Sequence, residues 1–151
     1  MLNFLKLFML VLLLSLSSTA NELSTTKPFI DMDEVKRDYL GKKYVWAATG
    51  PKAYDCSGFL QEVFYFNGID LPRTSYEMVK VGKRVKKKNL REGDLIFLKS
   101  KKTNKVNHVA MIYSTKGKRV MIIHASKSFG KIVITPLSWY NSTYYSARRM
   151  L

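Results

Sequence analysis

The chain contains one cysteine, Cys56, and two histidines, His108 and His124. A thiol and imidazoles are the parts of nucleophilic acyl transfer. The thiolate attacks a carbonyl carbon, one imidazole moves the proton, and a further polar group orients that imidazole. Cys56 stands at the head of a helical pattern running from Asp55 to Gly68, in which Phe59, Leu60, Val63 and Phe66 recur at helical spacing and Asn67-Gly68 supplies a stop. A cysteine there lies at the positive end of the helix dipole among unpartnered N–H groups, which lowers a thiol pKa from about 8.5. A buried structural cysteine would look the same from position alone. The two histidines fall in the arms of one candidate hairpin, His108 to Tyr113 and Val120 to Ala125. A three-residue turn, Thr115-Lys116-Gly117, sets 112 opposite 120 and 108 opposite 124, so the imidazoles become direct cross-strand neighbours. A two-residue Lys116-Gly117 turn instead sets His124 opposite Val109 and sends the imidazoles to opposite faces. The same three side chains could ligate a catalytic zinc. No carboxylate or Cys-x-x-Cys pattern supports that set, and no metal or cofactor is expected.

Helices must carry the thiol and strands the imidazoles. Ahead of Cys56, a helical candidate begins near Pro28 with Asp31 as N-cap and Glu34 three residues on; Val35, Tyr39 and Leu40 share a face, and Gly41 closes it. Gly50 to Tyr54 reads as a loop. After Leu71-Pro72 the pattern changes to short apolar runs. Asp94 to Leu98 is a strand behind the Arg91-Glu92-Gly93 turn; the hairpin arms follow, then Lys131 to Thr135 and Tyr144 to Met150. Helices first and strands afterwards predict an α+β fold with an antiparallel sheet of about five strands.

Six stretches resemble, in order, the NlpC-type family of papain-like cysteine peptidases that cut bacterial cell-wall peptides. They are Gly41-Lys42-Lys43-Tyr44-Val45-Trp46, Asp55-Cys56-Ser57-Gly58-Phe59, Gly68 to Ser75, Gly93-Asp94-Leu95-Ile96-Phe97, His108-Val109-Ala110-Met111-Ile112 and Ile123-His124-Ala125. The resemblance implies a papain-like fold with the nucleophile at a helix start. It gives Cys56 the role of nucleophile, His108 that of base and His124 that of its orienter. Tyr44, Asp55 and Ser57 fall to the substrate-binding cleft. The implied substrate is the peptidoglycan stem peptide, cut most often between γ-linked D-Glu and the diamino acid. The chain departs from the pattern at Ala47-Ala48, where the family usually has Gly-Gly, at Met78 in place of a glutamine, at Ala110 in place of a glycine, and in the wider spacing of the two histidines.

The chain has 151 residues, 46% hydrophobic and 25% charged, which excludes disorder from end to end and suits one domain. Residues 1–20 have the layout of an export signal: Lys6, an apolar run from Leu7 to Leu16, then Ser17, Ser18, Thr19 and Ala20 at a small-residue cleavage site. The expected organisation is signal peptide 1–20, leader 21–30 and one peptidase domain 31–151, exported to the periplasm or cell wall and monomeric. The net charge of +15, less that of Lys6, leaves +14 on the mature chain. Eleven Lys or Arg lie between Lys80 and Lys105 against Glu92 and Asp94. That stretch suits either a solvated strand edge or an electrostatic hold on anionic wall polymers or a membrane surface. A nucleic-acid partner is not expected of an exported chain. Other readings are an amidase using the same residues, a secreted antibacterial toxin, and a non-catalytic basic wall-binding protein.

Overall fold

The computed structural model describes residues 30–150. The export signal at 1–20, and the leader apart from Ile30, lie outside the described residues. Among the described residues there are three α-helices: α1 (Met32–Tyr39), α2 (Cys56–Tyr65) and α3 (Ser75–Met78). Eight strands follow the order β1 (Lys43–Tyr44), β2 (Ala53–Tyr54), β3 (Lys83–Val85), β4 (Leu95–Lys99), β5 (Val106–Ser114), β6 (Met121–Ser126), β7 (Lys131–Pro136) and β8 (Tyr144–Arg149). They form one sheet in the order β2-β1-β7-β6-β5-β4-β8-β3, antiparallel throughout except for the parallel β1–β2 pair.

The fold is therefore α+β as expected, with β4 to β8 forming the five anticipated strands. The extra strands, β1, β2 and β3, are two or three residues long, too short to carry a two-residue alternation. β2 occupies part of the stretch read as a loop.

Both faces of the sheet are covered. On one face α1 and α2 bury Val35, Tyr39, Phe59, Leu60, Val63 and Phe64 against Leu95, Phe97, Val109, Met111 and Ile123. On the other, Ile96, Leu98, Ala110, Ile112, Ile122 and Ala147 pack with Leu137 and Tyr140 from a short 3-10 turn. Burial on both sides explains why β4 reads as an unbroken apolar run rather than an alternating one. The fully buried Phe59, Leu60 and Phe64 each stabilise the seat of α2 on the sheet by about 2 kcal/mol.

Two apolar residues leave their expected faces. Leu40 and Phe66 are the C-caps of α1 and α2, and both are exposed. The helical spacing that would bury them stops one residue too early. The basic stretch begins at the free edge of the sheet, where β3 and β8 set Lys83 opposite Arg149 and Arg84 opposite Arg148. Among the described residues only Arg149 of these four has a carboxylate partner, the buried Asp94 at 2.7 Å.

Candidate active site

Asp55 caps α2 and accepts the Gly58 N–H at 2.6 Å. Its carboxylate is also held by Arg73, through Nη2 at 2.6 Å and Nη1 at 3.1 Å, and Nη1 donates to Ser57 Oγ at 2.8 Å. Asp55, Ser57 and Arg73 thus form one interlocked group flanking the thiol. Gly58 lets the loop before α2 close on the helix: the Asp55 N–H donates to the Ala48 carbonyl at 2.8 Å, and a Cβ on Gly58 would collide with that same carbonyl. Ala47, beside it, holds φ at +63°, a conformation that costs a non-glycine residue about 1 kcal/mol.

The thiol of Cys56 is buried, and burial pushes its pKa up. The Asp55 charge acts in the same direction. The N–H groups of Val109, Ser57 and Cys56 itself oppose the rise without reversing it. The helix-start donors anticipated from sequence are therefore present, but desolvation outweighs them, so the thiol pKa lies above its ordinary value rather than below it. Tyr44 lies close enough for charge on Cys56 and Asp55 to reinforce the upward shift that burial gives its phenol.

His108 Nε2 and His124 Nδ1 are 2.9 Å apart, with ring centroids at 5.1 Å and planes at 79°. The pair forms, but neither turn considered from sequence produces it. Residues 115–120 all belong to the connection, and the ladder sets Met111 opposite Ile123 and Ile112 opposite Ile122 before slipping at Ser114. His124 falls opposite Ala110, two positions from His108 and on the same face. Such diagonal neighbours lie within reach of two rings.

The β5–β6 ladder also ends at Met111–Ile123, while β5 continues along β4 to Val106 and β6 along β7 to Ser126. The strands part at the site. This frees the Val109 N–H for Cys56 and gives the imidazoles room between the strands. No Cys56–His108 hydrogen bond forms among the described residues; such bonds are often long in resting enzymes and tighten with substrate.

Burial pushes His108 down to about 4, and burial with His108 beside it pushes His124 to about 3. Both rings are neutral at pH 7. Beyond them His124 Nε2 meets Thr135 Oγ1 at 3.1 Å and the Tyr140 hydroxyl at 3.2 Å. Thr135 and Tyr140 carried no sequence signal, because they reach the pair only through the β6–β7 register and the 3-10 turn. Arg73 stood in a matched stretch without a role.

Two cavities flank this centre. One, of about 520 Å³, contains Cys56, Asp55, Ser57 and Arg73, with Trp46 and Tyr76 at its rim. The other, of about 540 Å³, has His108 and His124 in its wall. Asn107 lines both.

A helix-borne thiol seated against a sheet that carries a hydrogen-bonded imidazole pair is the architecture of a cysteine-hydrolase domain. The chain belongs to the NlpC/P60 family, whose model matches residues 41–150. It is 36% identical over 124 residues to a gamma-D-glutamyl-L-lysine dipeptidyl-peptidase of Bacillus cereus, covering 80% of this chain and 36% of the relative. It is 34% identical over 117 residues to the murein DD-endopeptidase MepS/murein LD-carboxypeptidase of Escherichia coli K12, covering 76% of this chain and 58% of the relative. A crystal structure of an NlpC/P60 family protein from Bacillus cereus superposes with a TM-score of 0.74 at 33% identity, over 83% of this chain and 41% of that one. The chain spans less than two thirds of each.

Proposed function

We propose that this protein is an exported cysteine endopeptidase that hydrolyses an amide bond in peptidoglycan stem peptides. The observation that carries the reading is the parting of β5 and β6. It brings the Cys56 thiol against Val109, the residue next to His108, and leaves His108 paired with His124. The relatives named for γ-D-glutamyl-L-lysine and murein peptidases support the substrate class. Residues 1–20 support export, since that substrate lies outside the cytoplasm.

His108 Nε2 is taken by His124, so Nδ1 is the ring nitrogen left for the thiol. Neutral His108 removes the Cys56 proton as the sulfur attacks the scissile carbonyl, and the ion pair forms in the reaction rather than at rest. N–H groups at the start of α2 stabilise the oxyanion, with the Tyr44 hydroxyl nearby. His108 then protonates the departing amine, which leaves an acyl thioester on Cys56. With its neutral form restored, the imidazole draws a proton from water to hydrolyse that thioester. Asp55, Ser57 and Arg73 present the acyl-side wall of the cleft. The bond assigned is that between γ-D-Glu and the diamino acid.

The test is digestion of purified peptidoglycan by residues 21–151, beside Cys56→Ala, with mass spectrometry of the soluble products. Stem-peptide fragments from the wild type alone are expected, and their masses identify the bond. A D,D-cross-link product would reassign the bond. The same fragments from Cys56→Ala, or none from either with the thiol reduced, would overturn the reading.

A further inference from the structure

The second cavity gives the reaction centre a side that neither the matched motifs nor the catalytic roles account for. His108 and His124 line it together with Lys99 and Lys101, at and just beyond the end of β4, and Lys127, just beyond the end of β6. Among the described residues no Asp or Glu lines it. None of the three lysines forms an ion pair among the described residues; Lys99 Nζ donates only to the neutral Asn104 Oδ1, at 2.6 Å. Three lysines therefore line one partly enclosed space, with no carboxylate among the described residues that line it. In such a space fields are less screened than on an open surface. The thiol-side cavity differs, because there Arg73 is neutralised by Asp55.

Chemistry fixes which half of a substrate meets which cavity. The acyl half becomes bonded to Cys56 and so occupies the thiol side. The amine half takes its proton from His108 and so departs on the imidazole side, around Asn107. We infer that the cavity walled by His108 and His124 binds the amine-side residue of the substrate and selects one bearing a free carboxylate, held by Lys99, Lys101 and Lys127. This rests on the acyl-transfer reading above and extends it to the leaving group. The carboxylate has two sources in a stem peptide: the side chain of a dicarboxylic diamino acid such as diaminopimelate, or the terminus of the peptide itself. A residue of the lysine type inside a longer chain offers neither.

Three substrates with one acyl half, L-Ala-γ-D-Glu, separate these cases. The amine residue is L-lysine amide, diaminopimelate with its α-carboxyl amidated and its distal carboxylate free, or L-lysine with its α-carboxylate free. kcat/KM is measured with active protein, and binding to Cys56→Ala by calorimetry. At least one carboxylate-bearing substrate is expected to exceed lysine amide by about tenfold in both measurements, as a charge-assisted contact allows. Whichever gains identifies the source. Lys99→Gln/Lys101→Gln/Lys127→Gln should remove most of that ratio, whereas Lys36→Gln/Lys116→Gln/Lys118→Gln, changing three exposed lysines elsewhere, should retain it. If the triple variant does not fold, single Lys101→Gln and Lys127→Gln, both exposed, should each reduce the ratio.

Equal handling of all three substrates, a ratio that survives the cavity substitutions, or a ratio lost as fully in the control overturns the inference. If no substrate is cleaved, binding still decides it. A lysine-dependent carboxylate preference would keep the cavity assignment and sink the peptidase reading, while equal or undetectable binding would sink the assignment.

Discussion

Thr135 is buried at the end of a hydrogen-bond chain that begins at the thiol side of His108. For His108 Nδ1 to accept a proton, Nε2 must carry its hydrogen and donate to His124 Nδ1. That leaves the His124 hydrogen on Nε2, where Thr135 Oγ1 accepts it and the Tyr140 hydroxyl stands by. Thr135 is thus a positioning residue: it fixes a tautomer two groups away from the chemistry. Thr135→Val should lower kcat about tenfold with little change in KM, since a buried N–H is left with one poorer acceptor. It should also move the acid limb of the pH–kcat profile, and Thr135→Ser should restore both. An unchanged profile with a lower Tm would make Thr135 merely structural. Cys56, His108, His124 and the Asp55–Ser57 pair were legible in the sequence because each sits in a local motif. Thr135 and Tyr140 were not, because their partnership exists only once β7 and the 3-10 turn have folded against β6.

At the scale of elements, the site depends on two close approaches. The first is the loop at 47–49 against the first turn of α2. Gly58→Ala places a methyl group on the Ala48 carbonyl, and relief requires moving either the loop or the helix start that aims Cys56. The expected cost is about 2 kcal/mol, read from the midpoint of urea unfolding, together with a fall in activity larger than that of an equally destabilised variant in the second core. Retained stability and activity would show that the loop can give way. The second approach is the parting of β5 and β6. Sequence pattern located both strands within a residue or two, because their apolar runs are long. It misplaced the register because the slip at Ser114 and the six-residue connection depend on how β6 pairs with β7. The two candidate registers differed in parity, and the true one kept the parity that puts both imidazoles on one face. Helix α2 was nearly complete in the sequence, from its Asp55 cap to Tyr65. What the periodicity could not show was that Phe66 had already left the helix.

For the molecule as a whole, the neutral imidazole pair has a consequence for stability. In the unfolded chain each histidine titrates near 6.5, whereas burial holds the folded values near 4 for His108 and near 3 for His124. Between these limits the unfolded chain binds more protons than the folded one, so acid favours unfolding. The contribution is fully present above about pH 7, declines as pH falls through 6.5, and is exhausted only below about pH 3, where both states become protonated. The loss is on the order of a few kcal/mol, a large share of the stability of a domain this size. Urea unfolding at intervals from pH 7.5 to 4 should therefore show a falling free energy. His108→Gln/His124→Gln should flatten that slope, whatever its effect on stability at pH 7.5. Equal slopes in the two proteins would mean that the imidazoles are solvated enough to titrate normally. The base would then be cationic over more of the acid range, and the acid limb of activity would move up towards pH 6.5. The two measurements are thus tied: a steep acid loss of stability and an acid limb of activity well below 6.5 should be found together, because one pair of buried rings sets both.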